Sequence, residues 1–163
     1  MTSLYSFLTN SALILFIGLT LLAANPTVAQ KKWSKHSAFQ GICGIVLIKK
    51  GNQMPGPGKS TSPGTPVERE VLIFPLINMN QVKMGDNGFI DSVGNIKPVK
   101  TVRSDKLGKF CVSLPVGHYS VVIREPKGLY ANLSDAHNNI FPVNVRKQKR
   151  TDVKVDITHQ AVF

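Results

Sequence analysis

The chain has 163 residues and a net charge of +11, from 20 Lys and Arg against 9 Asp and Glu, and its length is typical of a single domain. The basic residues are scattered, and aromatic residues are not interleaved with them as a base-stacking surface would require. The composition therefore argues against a specific nucleic-acid site. The positive charge favours acidic partners in general, but it does not determine a fold.

The N-terminal segment predicts export. Residues 12–24 form an uncharged apolar run that is short for a membrane span but suited to the core of a signal peptide. Small residues allow cleavage after Ala29 or after Ala24. Residues 1–29 are therefore predicted to be a signal peptide, with an uncleaved anchor as the alternative, and residues 30–40 a basic arm. We expect a periplasmic, outer-envelope or secreted protein without a transmembrane segment after processing.

Residues 41–163 predict one β domain. The first strand, residues 42–50, is apolar on both alternating faces, as expected for a strand covered on both sides. Glycine and proline interrupt the loop at residues 51–69, and a second irregular segment follows at residues 78–96. Further strands are predicted at residues 70–77, 97–103, 110–114, 119–123, 141–145 and 151–158. About seven strands in about 120 residues, without a credible helix, predict an all-β antiparallel two-sheet sandwich.

The cleanest alternation is that of residues 151–158, and the organising pair of strands lies within residues 104–124. Runs beginning at Phe110 and Tyr119 place apolar residues at every second position, which is the period of a half-buried sheet. Gly108 and Gly117 are predicted to close the adjoining turns at positive φ, a conformation that costs little only for glycine. These two strands are expected to share one core.

The two cysteines, Cys43 and Cys111, are predicted to form a disulfide. If Phe110 faces the core, Cys111 points to the other face of its strand, and Cys43 shares the parity of Ile45 and Leu47, so the two thiols could lie on the same side of neighbouring strands. A bridge across so long a loop would stabilise by about 3–5 kcal/mol in the chain-entropy model. Two buried free thiols are the alternative.

Four motifs, taken in chain order, resemble a known family. They are G-I-V at residues 44–46, G-N-Q-M-P-G-P-G at 51–58, S-D-K-L-G-K-F at 104–110 and L-P-V-G-H-Y-S-V at 114–121. Together they resemble the carboxypeptidase regulatory-like domain, and the closing segment is similar to small exported bacterial proteins. The resemblance implies a transthyretin-like (prealbumin-like) sandwich over residues 41–163. Because these are turn and core motifs, they imply no particular activity.

No enzymatic site is expected, and no cofactor or metal. The four histidines do not have metal-ligand spacing. A Ser134–His137–Asp135 triad would require neighbours in one loop to reach a geometry that they rarely adopt, and no nucleophile-elbow pattern surrounds the serine. A loop-built metal site or an accessory hydrolase remains the alternative hypothesis.

The predicted function is binding of a glycan or a cell-envelope protein by loops at one end of the sandwich. Alternating connections would bring residues 51–69, 105–108 and 125–140 to that end, and residues 78–96 and 146–150 to the other. Loops on a rigid sandwich commonly carry binding. The alternative is that the long loops only cover the core. The candidate binding residues are Met54, Lys59, Lys106, Lys127, Tyr130, Asn132, Asp135 and His137.

Overall fold

The computed structural model describes residues 39–56 and 62–163. The predicted signal peptide at residues 1–29, residues 30–38 of the predicted arm and the candidate Lys59 lie outside the described residues. Among the residues that are described, no helix is long and apolar enough to cross a membrane.

Seven strands of the structure correspond to the seven predicted ones. They are β1 (Gly41–Asn52), β3 (Glu70–Pro75), β6 (Lys100–Arg103), β7 (Lys109–Ser113), β8 (Gly117–Glu125), β10 (Pro142–Val145) and β11 (Arg150–Val162). Four short strands arise within segments predicted to be irregular: β2 (Thr65–Pro66), β4 (Lys83–Met84), β5 (Phe89–Ser92) and β9 (Gly128–Tyr130). Two 3₁₀ turns, Met79–Gln81 and Asp86–Gly88, flank β4.

The strands form two sheets packed as a sandwich, which confirms the predicted fold class. The small sheet has the order β11-β1-β2, with β7 also paired to β1. The large sheet has the order β4-β5-β9-β8-β3-β6, with β10 also paired to β8. All pairings are antiparallel except that of β1 with β11, which is parallel.

The core lies between the two sheets. In the large sheet, Val71 pairs with Ile123, and both side chains are fully buried. In the small sheet, Val46 pairs with Val155 and both are likewise buried. Each aliphatic side chain removed from water in this way stabilises the fold by about 1.5–3 kcal/mol. The apolar residues that alternate in the sequence therefore form the core between the two sheets.

The outer face of the large sheet is covered as well. Leu72, Phe74 and Val122 have the opposite parity to the core residues of their strands, yet each is at most 3% exposed. The second irregular segment, residues 78–96, adds partly buried apolar side chains that pack against the core: Met79, Val82, Met84, Phe89, Val93 and Ile96. This segment is therefore an apolar part of the domain.

Cys43 and Cys111 form a disulfide, as predicted. The two residues are directly opposite each other in the β1–β7 pair, with their Cα atoms 4.1 Å apart. Beside them, a Cβ on Gly44 would lie 2.8 Å from the Phe110 ring, so glycine permits this close approach. Gly108 closes its turn at φ 72°, as predicted, whereas Gly117 begins β8 without a positive φ.

Candidate functional site

Three candidate residues lie at one end of the sandwich. Met54 follows the end of β1 and is exposed, and Lys106 lies in the turn between β6 and β7. At the start of that turn, the Ser104 hydroxyl accepts a hydrogen bond from the Arg69 N–H at 2.8 Å. Lys127 lies in the β8–β9 turn, next to Glu125, which contacts Arg69. The loop before β3 and these two turns are therefore neighbours.

The remaining candidates lie away from this end because β9 reverses the chain. Strand β9 runs antiparallel to β8 and carries the chain back toward the end of β3. There the Asn78 side chain donates to the His137 carbonyl at 2.6 Å, and the Met79 N–H donates to the Asn138 carbonyl at 2.9 Å. The prediction that residues 78–96 and 125–140 lie at opposite ends is therefore wrong. The candidates Asp135 and His137 belong to a second surface.

Asp135 stabilises its own turn. Its Oδ1 accepts hydrogen bonds from the N–H groups of His137 and Asn139, both at 2.9 Å, and its Oδ2 accepts from the Asn139 side-chain amide at 2.9 Å. The Asn139 amide, followed by these N–H groups, holds the pKa of Asp135 below its ordinary value of 3.8. In the described residues no hydrogen bond joins the His137 ring to Ser134 or Asp135, so the considered triad is not assembled.

Tyr130, one of the candidate binding residues, lies in the core. It is 1% exposed, and its hydroxyl is 3.0 Å from Thr158 Oγ1. The hydroxyl also accepts a hydrogen bond from the Thr158 N–H at 3.0 Å. Since Tyr130 belongs to the large sheet and Thr158 to the small one, this contact joins the two sheets. A buried tyrosine hydroxyl normally has such a partner.

A buried polar network lies beside this contact. His159 Nε2 is 3.3 Å from Glu125 Oε2, and Arg69 Nε is 2.5 Å from Glu125 Oε1. The Glu125 and His159 side chains are only 2% and 7% exposed. The imidazole also packs against Phe89 and Tyr130, with ring centroids 5.0 and 5.3 Å away. Two aromatic rings thus pack against the imidazole, and its Nε2 is paired with the Glu125 carboxylate.

Strand parity could have identified Glu125 and His159 in the sequence. Glu125 continues the inward positions Val121 and Ile123 of β8, and both of those are fully buried. His159 likewise continues the inward series of Ile157 in β11. A charged residue at an inward position requires a partner. No local pattern shows that the two residues meet, because the contact joins different sheets.

An open groove of about 490 Å³ runs above this network. We call it the β9–β11 groove. It lies between the 3₁₀ turns, the residues that follow β9 and the C-terminal part of β11. Its lining includes the exposed candidate Asn132. The lining also includes the buried candidate Tyr130, His159 of the network, and Asn87, Ser134, Met79, Leu133 and Phe163. The groove offers amide groups beside exposed apolar surface.

No group of three or more His, Cys, Asp or Glu side chains suited to a metal ion occurs within residues 39–56 and 62–163. No protein-family model, curated protein or solved structure matches this chain. The structure defines an all-β, two-sheet, disulfide-bonded domain.

Proposed function

We propose that this protein is a non-enzymatic, exported binding module of the cell envelope that takes a glycan in the β9–β11 groove. The observation that carries the proposal is the groove itself, where exposed Asn87 and Asn132 side chains stand beside exposed Leu133 and Phe163. An asparagine amide both donates and accepts hydrogen bonds, as a sugar hydroxyl does. Apolar side chains can pack against the C–H face of a sugar ring.

The burial and hydrogen bonding of the ionisable side chains favour a binding role over hydrolysis. Glu125 and His159 are buried and paired with each other, and Asp135 accepts three hydrogen bonds within its own turn. A general acid or base must reach the proton that it transfers. Glu125 and Asp135 do not line the groove, and His159, which does, has its Nε2 paired with the buried Glu125 carboxylate.

An extracytoplasmic location and a place in the carboxypeptidase regulatory-like family are parts of the same proposal. The Cys43–Cys111 disulfide is consistent with an oxidising compartment. The periplasm, the outer envelope and the outside of the cell all meet this condition. The turn motifs at residues 51–58, 104–110 and 114–121 support the family assignment.

The test is binding of the processed protein to an array of defined glycans that includes envelope polysaccharide fragments. Asn87 has φ 53°, so Asn87→Gly removes its amide without adding backbone strain. We expect Asn87→Gly combined with Asn132→Ala to weaken glycan binding at least about tenfold. Asn95→Ala, an exposed amide outside the groove, serves as the matched control and should bind as the parent does. Absence of glycan binding, or equal loss in the control, would refute the proposal.

A further inference from the structure

Among the residues that the structure describes, strand β11 is hydrogen-bonded along one edge and has no neighbouring strand along the other, which we call its free edge. The Gly41 N–H donates to the Lys149 carbonyl at 3.4 Å, and Gly41 pairs with Arg150 in the parallel register. In a parallel ladder, a strand directs the N–H and C=O groups of every second residue to the same neighbour. The backbone N–H and C=O groups of the odd-numbered residues from 151 to 157 therefore point toward β1. The backbone groups of Asp152, Lys154 and Asp156 face away from it.

No described strand pairs with this second edge. Strand β11 is terminal in the order of the small sheet. At the next position along the edge, the Thr158 N–H is capped by the Tyr130 hydroxyl. Within the described chain, residues 152–156 therefore present backbone donors and acceptors without hydrogen-bond partners. Such an edge is a template for another strand.

A second groove opens beside this edge, with a volume of about 620 Å³. We call it the β10–β11 groove. Its opposite wall is β10, where the Asn144 carbonyl accepts a hydrogen bond from Thr151 Oγ1 at 2.9 Å. Leu133 and Phe141 supply apolar lining. The free edge therefore has space next to it rather than a packed neighbour.

The charge of the β10–β11 groove is strongly positive. Arg146, Lys149, Arg150 and Lys154 line it together with a single carboxylate, that of Asp152. That carboxylate lies 2.9 Å from Arg150 Nε, and Lys154 Nζ lies 3.3 Å from Asp156 Oδ2, so two of the four cations are paired within β11. Arg146 and Lys149 form no ion pair with any described residue. An occupant should therefore carry negative charge, which would meet these cations at the rim.

We propose that the free edge of β11 binds an extended, acidic peptide segment of a partner protein, which adds to the small sheet as a strand in the β10–β11 groove. Main-chain hydrogen bonds to the outward backbone groups of residues 152–156 would supply affinity, and Arg146 and Lys149, which have no described ion pair, would select acidic side chains. A second copy of this chain would bring another basic groove against the first. The chain's own residues 30–40, which carry three lysines, would be repelled in the same way. This site is separate from the β9–β11 groove and does not depend on the glycan proposal.

The experiment uses a seven-residue peptide of alternating Glu and Val with blocked ends, titrated against the processed protein. Two isomers carry N-methyl groups on either the Glu or the Val nitrogens, so both retain the charge of the parent peptide. In an added strand only one set of nitrogens faces the protein. We expect one isomer to bind at least about tenfold more weakly than the other. Equal affinity of the two isomers would overturn strand addition, as would no binding of the parent peptide.

Variants of Lys154 test the protein side. The Lys154 N–H faces the free edge, so Lys154→Pro removes a donor without removing a bond to β1. Lys154→Ala is the matched control that loses the charge but keeps the N–H. We expect at least about tenfold weaker peptide binding for the proline variant than for the alanine variant, at similar thermal midpoints. Equal binding by the two variants would contradict the proposal. If Lys154→Pro does not fold, the two methylated peptides decide the question.

Sedimentation distinguishes a partner peptide in the β10–β11 groove from a second copy of this chain. We expect a monomer that binds one peptide per chain. A dimer that the peptide dissociates would identify a second copy as the occupant and overturn the assignment to an acidic partner.

Discussion

The two sides of β1 are closed in different ways. On one side, β7 is joined by a ladder, by the Cys43–Cys111 disulfide and by the Phe110 ring packed at Gly44. On the other side, β11 pairs along β1 but leaves its own outer edge without a described strand. The first side is held by covalent and apolar contacts. The second buries Val155 and Ile157 in the core and is also tied to the large sheet by polar contacts from Tyr130 and Glu125, but it has no covalent link. We therefore expect stability to depend mainly on the β7 side and binding on the β11 side.

The largest expected effect is on the β7 side. Phe110 is 4% exposed, and Phe110→Ala should lower the free energy of unfolding by about 3–5 kcal/mol because it leaves a cavity in the core. Lys149→Ala, an exposed residue of the β10–β11 turn, should change it by less than about 0.5 kcal/mol. Urea denaturation midpoints measure both. Equal shifts would show that Phe110 does not contribute to the core as this account requires.

The disulfide should contribute a similar amount. Its two residues are separated by 68 positions, for which the chain-entropy model gives about 4 kcal/mol. The double variant Cys43→Ala and Cys111→Ala should therefore unfold at a clearly lower urea concentration than the oxidised protein. Reductant should shift the midpoint of the parent and leave that of the double variant unchanged. The same midpoint for oxidised parent and variant would contradict this account.

A smaller effect is expected where polar contacts join the sheets. Glu125→Ala leaves His159 without its carboxylate partner and frees Arg69, and should cost roughly 3 kcal/mol in the free energy of unfolding. Glu68→Ala removes the exposed pair with Arg103 and should cost no more than about 1 kcal/mol. Thermal and urea unfolding of the two variants compare a buried pair with an exposed one. Similar costs would mean that the network contributes no more than a surface salt bridge.

The smallest effect concerns Asp135, in the turn that packs against Asn78. Hydrogen bonds from Asn139 and His137 lower the pKa of Asp135 in the folded protein, so its ionised form stabilises the native state above the ordinary value of 3.8. That stabilisation is lost as the pH falls through the lowered folded pKa. Asp135→Asn should thus be less stable than the parent at neutral pH, and the difference should disappear in acid. Urea denaturation midpoints of the parent and Asp135→Asn, measured from neutral pH into acid with Ser134→Ala as control, test this pH dependence. A difference that is independent of pH would refute it.

The fold was predictable from alternation because core contacts repeat along each strand. Phe110, Val121 and Ile157 follow the two-residue period, and all three are buried. The disulfide was predictable for the same reason, since strand parity places both thiols on one face. These inferences need only the geometry of single strands and one assumption about which strands are neighbours.

The candidate site was harder to predict because it depends on the path that the irregular segments take between the strands of the two sheets. The sequence does not show that β9 forms after Lys127 and turns the chain back along β8. Nor does it show that Tyr130 joins the two sheets. The free edge of β11 also leaves no mark in the sequence, because it depends on the absence of a neighbour.

The most direct test of the difference between the two sides is amide hydrogen exchange along β11, measured by NMR on the free processed protein. The N–H groups of Thr151, Val153 and Val155 face β1, whereas those of Asp152, Lys154 and Asp156 face the free edge. We predict that the second set exchanges at least about 100-fold faster than the first, and that the acidic peptide slows it. Equal protection of both sets in the free protein would show that another strand already covers this edge, and it would contradict the account.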